Sequence, residues 1–379
     1  MLFSFRVEQG SFIGTHDIRS MYLHVQLHPS AKEYFGFSVP NANGVTEYYY
    51  YDVIPFGYSR ATIIMASLLR PIQIFLHALG VDVTWYVDDG GNIAFTLRRC
   101  TCYQNFTLFA LSLGGWEIAL NKTQLPAQRV LYLGFIIDSI SMRIFSPDKK
   151  LARLQLDIDH IIAANRMAVR IPVLQTASAL GMLSHLLFSH GEVLKICTRE
   201  AQHELGLRVI AKGWKTDMGI SDRIVQELRL CKEFLISHNG RPIRYEVKET
   251  EILKPFHKKY LLSDWNPSDN DKELLTMVSD ASSHTAYLYQ ANDFKIVEEF
   301  PFNLRESAAS STLRELSAIF KLLTKDESFL KQNQGKLILW MTDSQSLCHI
   351  MRRGSRIKEL QAMVLEIFEL QLKWGRFRP

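Results

Sequence analysis

Trp85-Tyr-Val-Asp-Asp-Gly-Gly91 is the stretch on which the fold turns. Aromatic and β-branched residues run up to two adjacent carboxylates, two glycines follow, and Asn92-Ile-Ala-Phe95 resumes the apolar pattern. Asp-Gly between two strands is a hairpin signal. The segment therefore predicts strands at Val83–Val87 and Asn92–Phe95 flanking a turn at Asp88–Gly91. A hairpin accounts for Asp89-Gly90 but not for the second acid. Side-by-side carboxylates repel, a cost that a partner cation or solvent offsets.

Working outward, Asp17 lies between apolar Phe12-Ile13 and Tyr22-Leu-His-Val-Gln-Leu-His28. In that run Leu23, Val25 and Leu27 alternate with His24, Gln26 and His28, the period of a half-buried strand. An acid at a strand end beside an Asp-Asp hairpin tip would place three carboxylates at one sheet edge. Hard cations such as Mg²⁺ (or Mn²⁺) take oxygen ligands and keep waters, leaving room for phosphates. Two such ions, about 3.5–4 Å apart, stabilise the attacking and leaving oxygens of an in-line phosphoryl transfer. Turn and cap chemistry is the plainer account of Asp17 by itself.

Around these acids residues 1–145 read as strands about one long helix, an α+β sheet domain. Tyr34–Val39 and Tyr48–Ile54 are strand-like with Asn41-Ala-Asn-Gly44 as their turn, and a helix is expected over 59–79, bent near Pro71. Residues 146–260 read as helical, with helices expected from Pro147, through 172–210 and over 221–237. A polar, turn-rich stretch at 261–279 marks the next boundary, and 261–379 reads as strands, helix, strand, two helices and a strand-like LQLKWGRF.

Net charge is +5 over 379 residues and it is unevenly placed. Residues 1–150 carry +1, residues 151–260 carry +5 and residues 261–379 carry −1. Lys and Arg gathered on one region suit phosphate contacts, although a solvated helical surface has the same composition. With 47% hydrophobic and 22% charged residues the composition is globular, against a disordered or fibrous chain. Five cysteines without a CxxC pair predict reduced thiols inside a cell, and neither a disulfide framework nor a structural zinc. Arg70, Pro71, Gln73 and His77 interrupt the longest apolar stretch, Ile63–Val83, so no membrane span is expected. The opening MLFSFRVEQG lacks the pattern of a secretory signal. Histidines 24, 28, 185, 190, 284 and 349 show no metal-ligand spacing and read as surface or core residues.

At its acids the sequence resembles the reverse transcriptases of retrotransposons related to the long-terminal-repeat class, closest to the DIRS type. Tyr86-Val-Asp-Asp89 looks like the Y-x-D-D box, Phe12 through Tyr22 like the preceding F-x-x-x-D-h-x-x-x-Y box, and Ile54-Pro-Phe-Gly57 like L-P-F-G. Lys122 and Leu133-Gly-Phe-Ile136 resemble the later lysine and primer grip; Leu180-Gly-Met-Leu-Ser184 and Thr198-Arg199 resemble thumb and connection elements. The resemblance implies a polymerase palm over 1–145, a helical thumb and connection over 146–260 and a ribonuclease H-like α/β domain over 261–379. It implies metal ligands at Asp17, Asp88 and Asp89. Tyr22 would be the wall that excludes a ribose 2′-hydroxyl, Phe56 and Gly57 would line the nucleotide pocket, and Lys122 would lie near the triphosphate. Implied partners are an RNA template, a DNA primer, an RNA–DNA hybrid and deoxynucleoside triphosphates.

The last third supplies a second acidic set: Asp280 ends a strand, Glu315 lies in a helix and Asp343 ends a later strand. That order matches ribonuclease H, whose acids bind two Mg²⁺; Ser279-Asp-Ala-Ser282, Leu313-Arg-Glu-Leu316 and Thr342-Asp-Ser-Gln345 look like its motifs. Helix caps and a solvated helix face are the plainer accounts of these acids taken singly. The sequence departs from the family in several places. Sixteen residues precede Asp17, Tyr58-Ser-Arg-Ala-Thr62 stands where Ala-Pro is usual, Ser282-Ser-His-Thr285 replaces a glycine turn, and the chain stops at Pro379 before a fourth acid. The expectation is a chain truncated at both ends. It is either a reverse transcriptase–ribonuclease H or a catalytically inactive, nucleic-acid-binding remnant of one.

Overall fold

The structure, a computed structural model, describes residues 6–191, 193–243, 274–282, 284–290, 295–325, 328–333 and 337–374. It divides into two compact units, Met1–Phe145 and Ser146–Pro379. The boundary expected at 260–261 lies outside the described residues.

In the first unit an antiparallel sheet runs in the order β4 (Val83–Tyr86), β5 (Asp89–Ala94), β1 (Phe12–Asp17) and β6 (Gln124–Ala127). β1 is central, and Ile13 through Asp17 are all buried. Gln104 of α2 (Leu97–Leu113) donates from one amide nitrogen to the carbonyls of Thr15 and Gln124, at 3.1 and 2.9 Å, tying helix to sheet. Helix α1 (Ala61–Ala78) runs through Pro71 and buries Met65, Leu69 and Leu76. Met65 and Leu69 pack with Ile18, Met21, Leu111 and Trp116 in the core under the sheet, where each buried aliphatic side chain contributes about 1.5–3 kcal/mol. α1 is the one helix among the described residues long and apolar enough to cross a membrane. β7 (Arg129–Tyr132), β8 (Phe135–Asp138) and β9 (Arg143–Phe145) form an antiparallel meander. This is the antiparallel sheet with helices expected of a palm. A separate ribbon, β2 (Gly36–Pro40) with β3 (Thr46–Tyr50), leaves all ten of its residues exposed, with Phe37 stacked on Tyr49.

Two expectations fail here. Residues 22–28 form no strand: Met21–His24 and Pro29–Phe35 are 3₁₀ turns, and Gln26 makes only an isolated bridge to Val53. The chain turns sharply at Ser20, whose φ is 48°, so that Met21 is buried and Leu23 is exposed, against the alternation. The hairpin turn is also one step earlier than its Asp-Gly signal. Tyr86 pairs with Asp89, so Val87-Asp88 is the turn and Asp89-Gly-Gly91 belongs to the strand.

The second unit begins with helices: α3 (Asp148–Arg166), α4 (Val173–His185), α5 (Leu187–His190), α6 (Val193–Ile196), α7 (Arg199–Lys212) and α8 (Asp222–Ser237). The helix expected over 172–210 is four pieces, and Gly191 at φ 87° marks one break. Glu227 of α8 is fully buried and accepts the backbone N–H groups of Glu200 and Ala201, each at 2.9 Å, capping the start of α7. It also accepts the Gln361 amide at 3.0 Å, and burial pushes its carboxyl up to about 7. The C-terminal sheet has the order β12 (Lys295–Pro301), β11 (Thr285–Gln290), β10 (Leu274–Ala281) and β13 (Leu337–Met341). Its first three strands are antiparallel and β13 lies parallel to β10, reached through α9 (Ser311–Lys325). Helices α10 (Gln345–Arg353) and α11 (Lys358–Trp374) follow. The strand-like end is helix through Trp374, because Leu360, Val364, Leu365, Ile367 and Phe368 continue a buried helical stripe up to it.

Candidate active site

Antiparallel pairing decides what meets at the sheet edge. Asp17, the last residue of β1, is the register partner of Asp89, the first residue of β5, and Tyr86 pairs with Asp89 from the other side. Directly opposed residues lie about 4.5–5.5 Å apart and share a face. One face of the edge therefore carries Tyr86, Asp89 and Asp17. Asp88 occupies the turn, and its carbonyl accepts the Ile18 N–H at 3.0 Å, tying the hairpin tip to β1 beyond Asp17. Val87 adopts φ 56°, a left-handed conformation that costs a β-branched residue about 1–3 kcal/mol. That conformation turns the chain at Val87-Asp88, so that Asp88 sits at the tip and Asp89 opens β5.

The electrostatics follow from that crowding. Burial, then the charges of Asp88 and Asp17, push the Asp89 carboxyl up to about 6, while Lys122 opposes the rise. Lys122, at the end of a short 3₁₀ turn, donates to the buried Asp17 carboxylate at 2.9 Å, and that bond raises the ammonium's pKa. The Ala119 N–H donates to the Asp17 carbonyl at 2.9 Å and anchors the same turn. Among the described residues no three His, Cys, Asp or Glu side chains are drawn close enough to hold an ion as they stand. The donor chemistry nevertheless fits a hard divalent cation: three carboxylates, one of them driven toward its protonated form by burial and by the other two.

Tyr22 and Phe56 are brought together, their rings edge to face with centroids 5.5 Å apart. Tyr22 packs against the core while its hydroxyl lies 3.3 Å from the Thr62 hydroxyl. Phe56 is exposed, and Gly57 after it adopts φ 92°, a conformation open to glycine at little cost. On the opposite face of the sheet lies a residue the sequence reading passes over. His16 is fully buried, neither ring nitrogen has a hydrogen-bond partner, and burial pushes its imidazole down to about 3. Its ring meets Trp85 edge to face at 4.8 Å. A lone His beside Asp17 gives no spacing signal; only the register reveals it.

The second set also converges. Asp280 lies near the end of β10, Asp343 follows β13, and Glu315 is buried on α9. The Ala281 N–H donates to Glu315 Oε1 at 3.3 Å, whereas Oε2 is buried with no hydrogen-bond partner. Burial first, then Asp343 and Asp280, push Glu315 up to about 7. An orphaned carboxylate oxygen beside two exposed acids is again a donor set suited to a divalent cation.

Solved structures of the foamy viral protease-reverse transcriptase resemble the chain. One, titled dRH and in complex with double-stranded DNA, has 14% identity and a TM-score of 0.46 over 96% of this chain and 56% of that one. Another, with an RNA/DNA hybrid, has 15% identity and a TM-score of 0.46, covering 97% of this chain and 44% of that one. A third, with double-stranded DNA, has 14% identity and a TM-score of 0.44 over 100% and 69%. The chain thus spans about half the length of the first two. No curated protein sequence matches it. Residues 5–137, which hold Asp17, Tyr22, Phe56, Gly57, Asp88, Asp89 and Lys122, match the family of the reverse transcriptase (RNA-dependent DNA polymerase), and this segment is a reverse transcriptase domain.

Proposed function

We propose that the chain is an RNA-directed DNA polymerase with an associated ribonuclease H, working by two-metal phosphoryl transfer, from a DIRS-type retrotransposon. The observation that carries the polymerase reading is the pairing of Asp17 with Asp89 beside Asp88, within the segment that matches the reverse transcriptase family. Asp17, Asp88 and Asp89 would hold Mg²⁺ (or Mn²⁺), which would stabilise the negative charge on the attacking and leaving oxygens. The residues of the chain supply the rest. Lys122 stands on Asp17 as an exposed cation able to move to a triphosphate. The Tyr22–Phe56 pair forms an aromatic wall against which a deoxyribose stacks and a 2′-hydroxyl collides. The helical part of the second unit, in the most basic stretch of the chain, would grip duplex phosphates without reading sequence. Asp280, Glu315 and Asp343 would cut RNA in the hybrid. Template, primer, hybrid and deoxynucleoside triphosphates are the partners, and the work is intracellular, with no membrane.

Primer extension on an RNA template with Mg²⁺ tests this reading directly. Extension by the chain, lost on Asp88→Asn, is the expected result. Salt-dependent binding of hybrid without extension would establish the inactive remnant instead, and extension unchanged by Asp88→Asn would remove Asp88 from the site.

A further inference from the structure

The face of the sheet turned away from the carboxylates is built around a glycine. Gly90 is the register partner of His16 on one side and of Trp85 on the other, so all three share the core face directly behind Asp17 and Asp89. A Cβ on Gly90 would lie 2.2 Å from His16 Nε2 and 2.4 Å from Trp85 Cζ3, well inside van der Waals contact. The two rings close edge to face over the bare backbone of Gly90. His16 Nδ1 and Nε2 and Trp85 Nε1 are buried there without a hydrogen bond, so shape alone holds the rings in place. Each ring is one residue from the hairpin edge: His16 precedes Asp17, Gly90 follows Asp89, and Trp85 precedes Tyr86.

We infer that His16 and Gly90 are positioning residues: the His16 ring, seated in the space a side chain at 90 would occupy, sets the separation of β1 and β5 where Asp17 faces Asp89. The inference rests on the polymerase reading of those acids and adds to it two residues that touch no substrate. Its mechanical content is simple. A side chain at 90 displaces the buried His16 and Trp85 rings or β5 itself, and a displacement of β5 reaches Asp89 one residue along the strand. A shift near 1 Å at reacting groups costs about a hundredfold in rate.

The experiment is a double-variant cycle on the full chain, read by turnover and by Mn²⁺ binding measured with paramagnetic resonance; Asp89→Asn identifies the ions held at this edge. Gly90→Ala is expected to lower kcat for extension about a hundredfold, to leave the affinity for primer–template unchanged, and to weaken Mn²⁺ binding at least tenfold. Adding His16→Gly to Gly90→Ala should recover part of both losses, because the clash with the His16 ring is removed while the contact with Trp85 remains. A double variant no better than Gly90→Ala alone overturns the inference, as does Gly90→Ala with unaltered kcat and Mn²⁺ affinity. If Gly90→Ala loses its cooperative melting transition, folded His16→Gly decides. A tenfold loss of kcat supports the inference and an unchanged kcat overturns it. Extension by the parent chain without coupling between positions 16 and 90 overturns only this inference. Coupling in Mn²⁺ affinity without extension by the parent chain supports it and overturns only the polymerase reading. A parent chain that binds no Mn²⁺ at Asp89 overturns it.

Discussion

The two acidic clusters are built in opposite ways. At the palm edge Asp17 is buried and carries its own counter-cation, Lys122, and the acids come from two antiparallel strands in register. Beside the C-terminal sheet the buried acid is Glu315 on a helix, it is met by a single backbone N–H, and its flanking acids are exposed. The first cluster therefore has an internal counter-charge, whereas burial in the second favours the protonated form of Glu315. Burial and neighbouring acids push Asp89 up to about 6 with Lys122 opposing, and Glu315 up to about 7.

Damage to one cluster at a time separates the two. Asp89→Asn should abolish extension and spare hybrid cleavage, and Glu315→Gln should do the reverse. Each loss should exceed a hundredfold, beyond the 10–100-fold typical of groups that only support a metal ligand. Gel assays of both activities on the same preparations check this, and cross-loss would show that the clusters are not independent. Next in size, Tyr22→Ala should raise the acceptance of ribonucleotides relative to deoxynucleotides by about 10–200-fold, the range a pocket wall commands. Competitive incorporation on one template measures it, and an unchanged ratio would take Tyr22 out of the nucleotide site.

A smaller effect separates the clusters by pH. A carboxyl must lose its proton to ligate a cation, so extension should fall as pH drops through about 6 and hybrid cleavage already as pH drops through about 7. Parallel pH–rate profiles with Mn²⁺ should show the two acid limbs about one unit apart. Lys122→Met removes the charge that opposes the rise of Asp89 and should move the extension limb upward, toward that of cleavage. Smallest of all is a stability effect. Both carboxyls have folded pKa values above their unfolded ones. The cation-free protein therefore binds more protons folded than unfolded between about pH 4 and 7, and loses stability as pH rises through that window. Mn²⁺ should accordingly raise Tm by a few degrees at pH 8 and hardly at all at pH 5, by calorimetry.

Much of the palm edge was legible because its signal is local: Asp17, Asp88 and Asp89 sit in short runs whose spacing survives the folding of everything else. The misplaced turn shows the limit of such local signals. Asp89-Gly90 has the composition of a hairpin tip, yet Gly90 is needed for the rings of His16 and Trp85, and those neighbours become known only with the register. Residues 22–28 mislead for a related reason. Period-two alternation describes a strand only where a partner strand exists, and apart from the isolated Gln26–Val53 bridge this run pairs with none. Leu370-Gln-Leu-Lys-Trp374 is too short for its alternation to outweigh the helical stripe before it. In the last domain the strand–helix–strand order of Asp280, Glu315 and Asp343 was readable, but the orphaned Oε2 of Glu315 was not, because burial of a single oxygen is a property of packing.

The ribbon of β2 and β3 has a consequence for motion. Among the described residues, these two strands, all ten of whose residues are exposed, have no third strand or covering helix of the kind that makes such a pair stable by itself, and Phe37 on Tyr49 is a thin clasp. Its cross-strand amides should exchange with deuterium long before those of β1 and β5, and limited digestion should nick first around Asn41–Gly44. The sheet of β1 and β5 would then survive with the ribbon cut.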